Sequence, residues 1–511
     1  MALQPLDWQP SNCHRWPESS KTDAHLLLLL CEDGHNSQVD GRRAPSPSSS
    51  DGRESFQPVT ILELPPEILA EILVHCLPTY SAAPAALRAP LLLGGICGEW
   101  RMIALSTPSL WSTFILPVDM GKTTDDSPVV RLFESWIARG GNYPLTMVIS
   151  CSASDAGTPP PYTLPGSFIS ALSRSASRWH DVHLVLPHGD FHRLQANDGF
   201  PFLRRLAVKA ADWRLSRPDA TLPLDLFINA SVLDDVFLGE GFDISDINLP
   251  LHQLSYFESH GGTAVSYFQV LCQATELREI RLNPRSVTRF EEMVHSNVKS
   301  LNLQSVDFQE SEALGILDYM TCPALEKIVI GGSTPLLSHS LLRFLSRSSP
   351  PLREFILDLD HHHISDALAN TNDVLMAMPA LELLELKPLT AETAHDIFNR
   401  MYDKTTLFLP RLTTLRVEVT LHGVRSSSWT YATLVRMAVA RWNVEADENI
   451  AQLQLFKLSF SNPHHFSRVW GNPWPQLDAD SRAQLVLLDE QGMDIELMIG
   501  DDDEPPIVVD A

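Results

Sequence analysis

Apolar and polar residues follow helical spacing near the front of the chain and strand spacing, at nearly regular intervals, through most of the rest. In residues 61–116 the apolar positions Ile68, Leu69, Ile72, Leu73 and Cys76 fall at i, i+1, i+4, i+5 and i+8, one stripe of an amphipathic helix. Leu64 precedes a proline and is pushed toward extended backbone. Pro65 and Pro66 suit a first helical turn, where a missing N–H costs little, and the helix dipole there favours the anion of Glu67. A Pro/Ala-rich connector, 78–90, follows. Leu92, Ile96 and Trp100 then mark a second helix at intervals of four, with Ile103 three further on. Thr107-Pro108 reads as the cap and first position of a third short helix carrying Leu110 and Trp111. Gly94, Gly95 and Gly98 crowd the second helix. Each interior glycine costs about 1 kcal/mol relative to alanine, which predicts a short, frayed or kinked helix there.

Beyond this stretch, residues 120–128 read as a linker and 129–139 as a helix with Leu132, Phe133, Trp136 and Ile137 on one side. Gly140-Gly141 stops that helix, 145–149 alternates like a strand, and 151–165 is a proline-rich loop. Then a word of the form L-x-x-L-x-L, with other apolar residues allowed, begins to repeat. It appears as Trp179/Val182/Leu184, Leu203/Leu206/Val208, Leu233/Val236/Leu238, Leu251/Leu254/Tyr256 and Leu277/Ile280/Leu282. It continues as Val298/Leu301/Leu303, Leu325/Ile328/Ile330, Leu352/Phe355/Leu357, Leu381/Leu384/Leu386 and Leu412/Leu415/Val417, with a frayed copy at Leu453/Phe456/Leu458.

Helical segments are expected between the words. Thr288-x-x-Glu291 is a capping-box pattern leading into Glu292 and Met293. Residues 338–346 carry Leu341, Leu342 and Leu345; Thr390 can cap 391–401, with Ile397, Phe398 and Met401 inward; 431–442 carries Leu434, Val435, Met437 and Ala438. Gly261-Gly262 and Gly331-Gly332 read as turns after strands. Such strand–helix units stack into a parallel sheet with helices on the other face, and no unit buries its apolar face alone. Residues 485–500 alternate again and suggest a closing strand or cap, followed by an acidic tail, 501–511.

Composition narrows the function. Against 38 basic residues stand 63 acidic ones, a net charge of −25, the wrong sign for a general nucleic-acid or anionic-membrane binder. The seven cysteines are scattered and form no C-x-x-C, which points to free thiols in the cytoplasm or nucleus. The first residues lack the basic-then-apolar order of a signal peptide. The leucine run at 26–30 is far shorter than the roughly 20 residues of a membrane helix, so no membrane span is expected. Residues 1–58, rich in Ser, Pro and charge, are expected to be mostly disordered; for 26–31 composition favours an unstructured or loosely attached segment over a docking segment or a fragment of helix.

The one temptation toward metal chemistry is Asp360-His361-His362-His363. Adjacent histidines at a strand exit point in different directions, unlike ligands spaced on one helix face, so a loop surface is expected; His464-His465 is read the same way. No phosphate-binding, hydrolase or metalloprotease motif is present, and no cofactor, metal or catalytic residue is expected. An enzyme built on the repeats is therefore the least supported class.

The spelling of residues 61–116 adds to its periodicity, which by itself favours a small helical subdomain packed on the rest. Leu64-Pro65-Pro66-Glu67-Ile68-Leu69, Ile96-Cys97, Trp100-Arg101 and Thr107-Pro108-Ser109-Leu110-Trp111 stand in order. The stretch resembles the F-box in the form common in large fungal families. That resemblance implies docking on the Skp adaptor of a cullin–RING ubiquitin ligase. Leu64, Pro65, Ile68, Leu69, Ile72 and Leu73 would form much of the adaptor-facing surface; Cys97, Trp100, Leu110 and Trp111 would complete or support it.

The later words resemble the leucine-rich-repeat-like domains that follow the F-box in many fungal F-box proteins. The standard repeat carries Asn or Cys eight residues after its first leucine, where Arg285, Val306, Ser333, Asp360, Leu389 and Thr420 stand here. An irregular solenoid is expected in consequence.

The expected order is 1–58 disordered, 59–117 F-box, 118–165 linker with a helix and a strand, 166–484 solenoid, 485–500 strand or cap and 501–511 acidic tail. The expected fold class is α/β, a three-helix F-box followed by a solenoid with parallel strands on one face and helices on the other. The expected function is the substrate-recognition subunit of an SCF-type ligase that holds a target protein on its repeats. The alternative is a non-catalytic scaffold using the same surface without ligase output. Neither involves nucleic acid or membrane.

Overall fold

The computed structural model describes residues 61, 64–77, 89–121, 123–152, 163–211, 223–283, 291–305, 313–332, 338–359, 371–420, 431–445, 449–461 and 477–498. The leucines at 26–30, the histidines at 361–363 and 464–465, and the acidic tail lie outside them. The chain divides into two compact units: Met1–Leu233 with Gly239–Phe242 and Asp246–Pro250, and Asp234–Leu238 with Asp243–Ser245 and Leu251–Ala511.

The first unit opens with α1 (Pro66–His75), α2 (Leu91–Ile96), α3 (Gly98–Ser106) and a 3-10 turn, Pro108–Trp111. The single second helix expected from the spacing of fours is two helices. Cys97 takes extended backbone, φ −154° and ψ 170°, ends α2 and caps α3. Three nearby glycines leave too little helix propensity to bridge that point.

Strands β1 (Thr113–Asp119), β2 (Leu145–Ser152), β3 (Trp179–Leu186) and β4 (Arg205–Ala210) then pair in parallel, in that order. Phe114, Met147, Val182 and Leu206 fill one buried row across them. Helices α4 (Pro128–Arg139) and α5 (Gly166–Ser175) supply Phe133 and Phe168, whose rings stack at 4.7 Å. Gly141, at φ +53°, turns the chain out of α4 in a conformation costly for any residue with a Cβ. The segment expected as a linker carries the expected helix and strand, and its strand pairs into the ladder. β1 crosses the expected boundary at 117, and β2 pairs with it from Thr113↔Thr146 to Asp119↔Ser152.

The second unit continues the pattern with β5 (Asp235–Leu238), β6 (Tyr256–Ser259), β7 (Glu279–Leu282), β9 (Ser300–Ser305) and β11 (Lys327–Gly332). It ends with β12 (Glu354–Leu359), β13 (Leu383–Thr390), β14 (Thr414–Thr420), β15 (Leu455–Ser461) and β16 (Asp494–Met498). All pair in parallel. A separate two-stranded pair joins β8 (Met293–Val294) and β10 (Met320–Thr321). Helices between the strands include Ala264–Gln273, Ser338–Ser348, Ala391–Tyr402, Tyr431–Trp442 and Ala479–Glu490. One buried row, Val236, Phe257, Ile280, Leu301, Ile328, Phe355, Leu384, Leu415, Phe456 and Ile495, runs through every strand of the ladder. Mixed α/β architecture with a large parallel sheet is therefore the fold.

Four expectations need correcting. The word Leu251/Leu254/Tyr256 is out of register by three residues: Val236 pairs with Phe257, so Leu254, Phe257 and Ser259 occupy the three inward places. Polar Ser259 in the third place hides the true word. Glu291 and Glu292 lead into strand β8 rather than a helix. Gly331-Gly332 lies within β11, with the Asp358 carbonyl 3.4 Å from where a Gly331 Cβ would sit. Residues 485–490 belong to the helix Ala479–Glu490, and the closing strand expected within 485–500 is the shorter β16, Asp494–Met498, which pairs with β15.

Candidate functional site

The ten residues expected at the adaptor surface divide by depth. Leu69 and Leu73, one turn apart, are 1% and 0% exposed, and Leu110 and Trp111 are likewise interior. Pro65 and Ile68 are exposed, while Leu64, Ile72, Cys97 and Trp100 are half-buried. Leu69 and Leu73 therefore hold α1 on its own unit, where α1 packs against α3 and the 3-10 turn, and are not surface residues.

Trp111 shows how the helices are fixed. Its indole Nε1 donates to the Ala104 carbonyl at 2.8 Å, its ring meets Trp136 edge-on at 4.9 Å, and the Arg139 guanidinium lies 4.6 Å from its centroid. Such a ring combines a large buried apolar area with a satisfied donor. Cys97 Sγ accepts from the Trp100 N–H at 3.5 Å, a weak N-cap where a hydroxyl or carboxylate is usual. Arg101 Nε donates to the Gly94 carbonyl at 2.8 Å and ties α2 to α3. Thr107 does not cap the last turn; its hydroxyl donates back to Ile103 O at 2.6 Å.

The same helices leave apolar side chains in water. Ile68 is 52% exposed, Ile96 55% and Met102 67%, and Ile61, Leu92 and Leu105 join them. These six lie within residues 61–105, whereas the other large exposed apolar side chains among the described residues scatter over the remaining chain. Singly scattered exposure is ordinary, whereas these six are concentrated in one short stretch of the chain. Met102, Leu105, Ile96, Leu92 and Ile61 were missed among the expected site residues. Met102 and Leu105 are three apart on α3 and could have been read as a second apolar edge beside Ile103.

Two polar clusters lie in the second unit. Glu258 is buried, accepts from the Tyr256 hydroxyl and stands 2.8 Å from His260 Nε2; burial first, then this carboxylate, pushes the Tyr256 phenol up. A shallow cavity on the outward sheet face is lined by Glu385, Lys387, Arg416, Lys457 and Glu496 among others. Glu385 lies 2.5 Å from Lys387 and 3.3 Å from Arg416, and Lys457 pairs with Glu496 at 2.7 Å. Burial works to raise the Glu385 carboxyl, but hydrogen bonds from Lys387 and Arg416 outweigh it and hold the group below its ordinary range. Every charge in this cavity is thus met by a neighbour. Among the described residues no cluster of His, Cys, Asp and Glu is grouped to hold a metal ion, and no helix is long and apolar enough to cross a membrane.

No protein-family model matches the chain, and no curated protein does either.

Proposed function

We propose that this chain is the substrate-recognition subunit of an SCF-type cullin–RING ubiquitin ligase, acting in the cytoplasm or nucleus. Residues 61–116 act as an F-box that docks a Skp-type adaptor. The strand–helix ladder holds a target protein near the ubiquitin-charged enzyme, and the chain contributes proximity rather than chemistry of its own. The observation that carries this reading is the open apolar surface of Ile61, Ile68, Leu92, Ile96, Met102 and Leu105 on helices spelled like an F-box. Pro65, Ile68 and Ile72 carry the contact on α1, while Leu69, Leu73, Leu110 and Trp111 support it from inside.

The test is co-purification with adaptor and cullin. Ile68→Glu is expected to weaken adaptor capture at least about tenfold, with folding stability changed by no more than about 0.5 kcal/mol, as for other surface substitutions. Leu64→Ala/Pro65→Ala is expected to act in the same direction. Undiminished capture by Ile68→Glu would overturn the surface assignment. Recovery of adaptor without cullin would favour the scaffold reading.

A further inference from the structure

The ladder of the second unit ends on a strand with one open side. β16 (Asp494–Met498) pairs in parallel with β15 without interruption, from Leu455↔Asp494 to Ser459↔Met498, and among the described residues no strand lies beyond it. The Asp494 N–H donates to the Gln454 carbonyl at 2.8 Å. Alternation along a parallel strand therefore directs the backbone N–H and C=O groups of Asp494, Glu496 and Met498 toward β15, and those of Ile495 and Leu497 toward the free edge. Neither proline nor bulge, two common ways of blunting an edge, occurs in β16. Ile495 and Leu497 lie in the buried rows, while Asp494 and Glu496 are exposed on the outward side.

Charge selects what fits there. Ion pairs join neighbouring strands along the outward face: Lys327 meets Glu354 at 2.9 Å, Arg416 meets Glu385 at 3.3 Å, and Lys457 meets Glu496 at 2.7 Å. In each pair the carboxylate takes its cation from an adjacent strand. Asp494 has none: its neighbour on β15 is Leu455, and no cation among the described residues pairs with it. The cation that would complete the pattern belongs on a strand beyond β16.

We propose that β16 accepts one further strand from another protein. The added segment is extended, with Lys or Arg beside Asp494 and Glu496 and apolar residues beside Ile495 and Leu497. Backbone hydrogen bonds to Ile495 and Leu497 hold it, and its alternate side chains decide which segment is held. Charge on an edge strand repels like-charged edges, so the same two carboxylates exclude acidic segments. A second copy of β16 is excluded on that ground, because antiparallel self-pairing sets the Asp494 and Glu496 carboxylates of one copy against those of the other. The proposal depends neither on the adaptor nor on ligase output.

The probe is a synthetic peptide of about seven residues that alternates lysine with valine and is blocked at both ends, a length that spans β16. It is tested on the full chain beside two controls. One carries glutamate in place of lysine. The other keeps the lysines but is methylated at every internal backbone nitrogen, which preserves charge and removes the pairing donors. The lysine peptide is expected to bind at least about tenfold tighter than either control. At saturation it is expected to slow exchange of the Ile495 and Leu497 amides about tenfold and to leave Pro66–His75 unchanged. Asp494→Lys/Glu496→Lys, at two exposed positions, is expected to reverse the order of the lysine and glutamate peptides. Equal binding of the methylated peptide would overturn the proposal, leaving only attraction to a chain of net charge −25. Ile495 and Leu497 amides already protected without peptide would overturn it too. Protection at every protein concentration would mean that the chain covers its own edge, and protection that grows with concentration would mean that a second copy does.

Discussion

Leucine and isoleucine build both the helices of residues 66–106 and the strand ladder of the second unit, but the two regions place them differently. In the ladder, Phe355 has Ile328 on one side and Leu384 on the other, and each neighbour is flanked in turn. Every strand lends its apolar row to the next, so the core grows with each repeat. The helices have no such succession. Leu69 and Leu73 reach inward, yet Ile68 and Ile96 remain more than half exposed. A piece this small has too little interior for all its apolar residues. Repetition closes a core, whereas a short helical cluster finishes only the side it packs on.

That contrast can be broken by substitution. Phe355→Ala, in the middle of the buried row, is expected to cost about 3–5 kcal/mol in denaturant unfolding, while Ile68→Ala costs less than about 0.5 kcal/mol. Equal costs would mean that α1 is covered as fully as the ladder.

Arg441 gives the next effect. Its buried guanidinium donates to the carbonyls of Met401 at 2.9 Å, Leu409 at 3.1 Å and Phe408. These bonds hold a segment in which Leu407 and Leu409 have left-handed backbone, φ 47° and 48°. Burial pushes the Arg441 pKa down to about 10. Arg441→Ala strands those carbonyls and is expected to lose about 3 kcal/mol in the same measurement. A loss under about 1 kcal/mol would show that the segment holds without it.

The weak cap at Cys97 sharpens the comparison in the other direction. Cys97→Ser places a stronger acceptor at the start of α3 and is expected to stabilise the first unit by up to about 1 kcal/mol, read as slower exchange in Gly98–Ser106. Faster exchange there would mean that the thiol is needed for packing.

The smallest effect is electrostatic. Because Glu385 is held below its ordinary 4.5 in the folded chain, its contribution is complete above that value and is lost as pH falls through the lower folded value. Glu385→Gln is expected to lower stability at neutral pH by a small amount, to flatten the acid limb in that window and to leave stability below it nearly unchanged. An unaltered acid limb would place the sensitivity elsewhere.

Much of the ladder was legible because a buried row is apolar at nearly every strand and a crossover, most often an α-helix, returns the chain between parallel strands. Leu301, Ile328, Leu384 and Leu415 announce themselves for that reason. Ser259 interrupts the signal at β6 and moved the expected word by three residues. The helix Pro128–Arg139 and the strand Leu145–Ser152 were both expected, but within a linker rather than the ladder, because that strand lacks the later word although it pairs fully with β1.

The site was legible only as a composition. Sequence alone determined that residues 61–116 carry an apolar excess on short helices, since periodicity depends on the order of residues and nothing else. Tertiary structure decided which of those residues the chain covers itself. Leu69 and Ile68 are neighbours of the same chemical kind, one buried at 1% and the other open at 52%. Their fates differ because about 100° of helical rotation turns one toward α3 and the 3-10 turn and the other toward water.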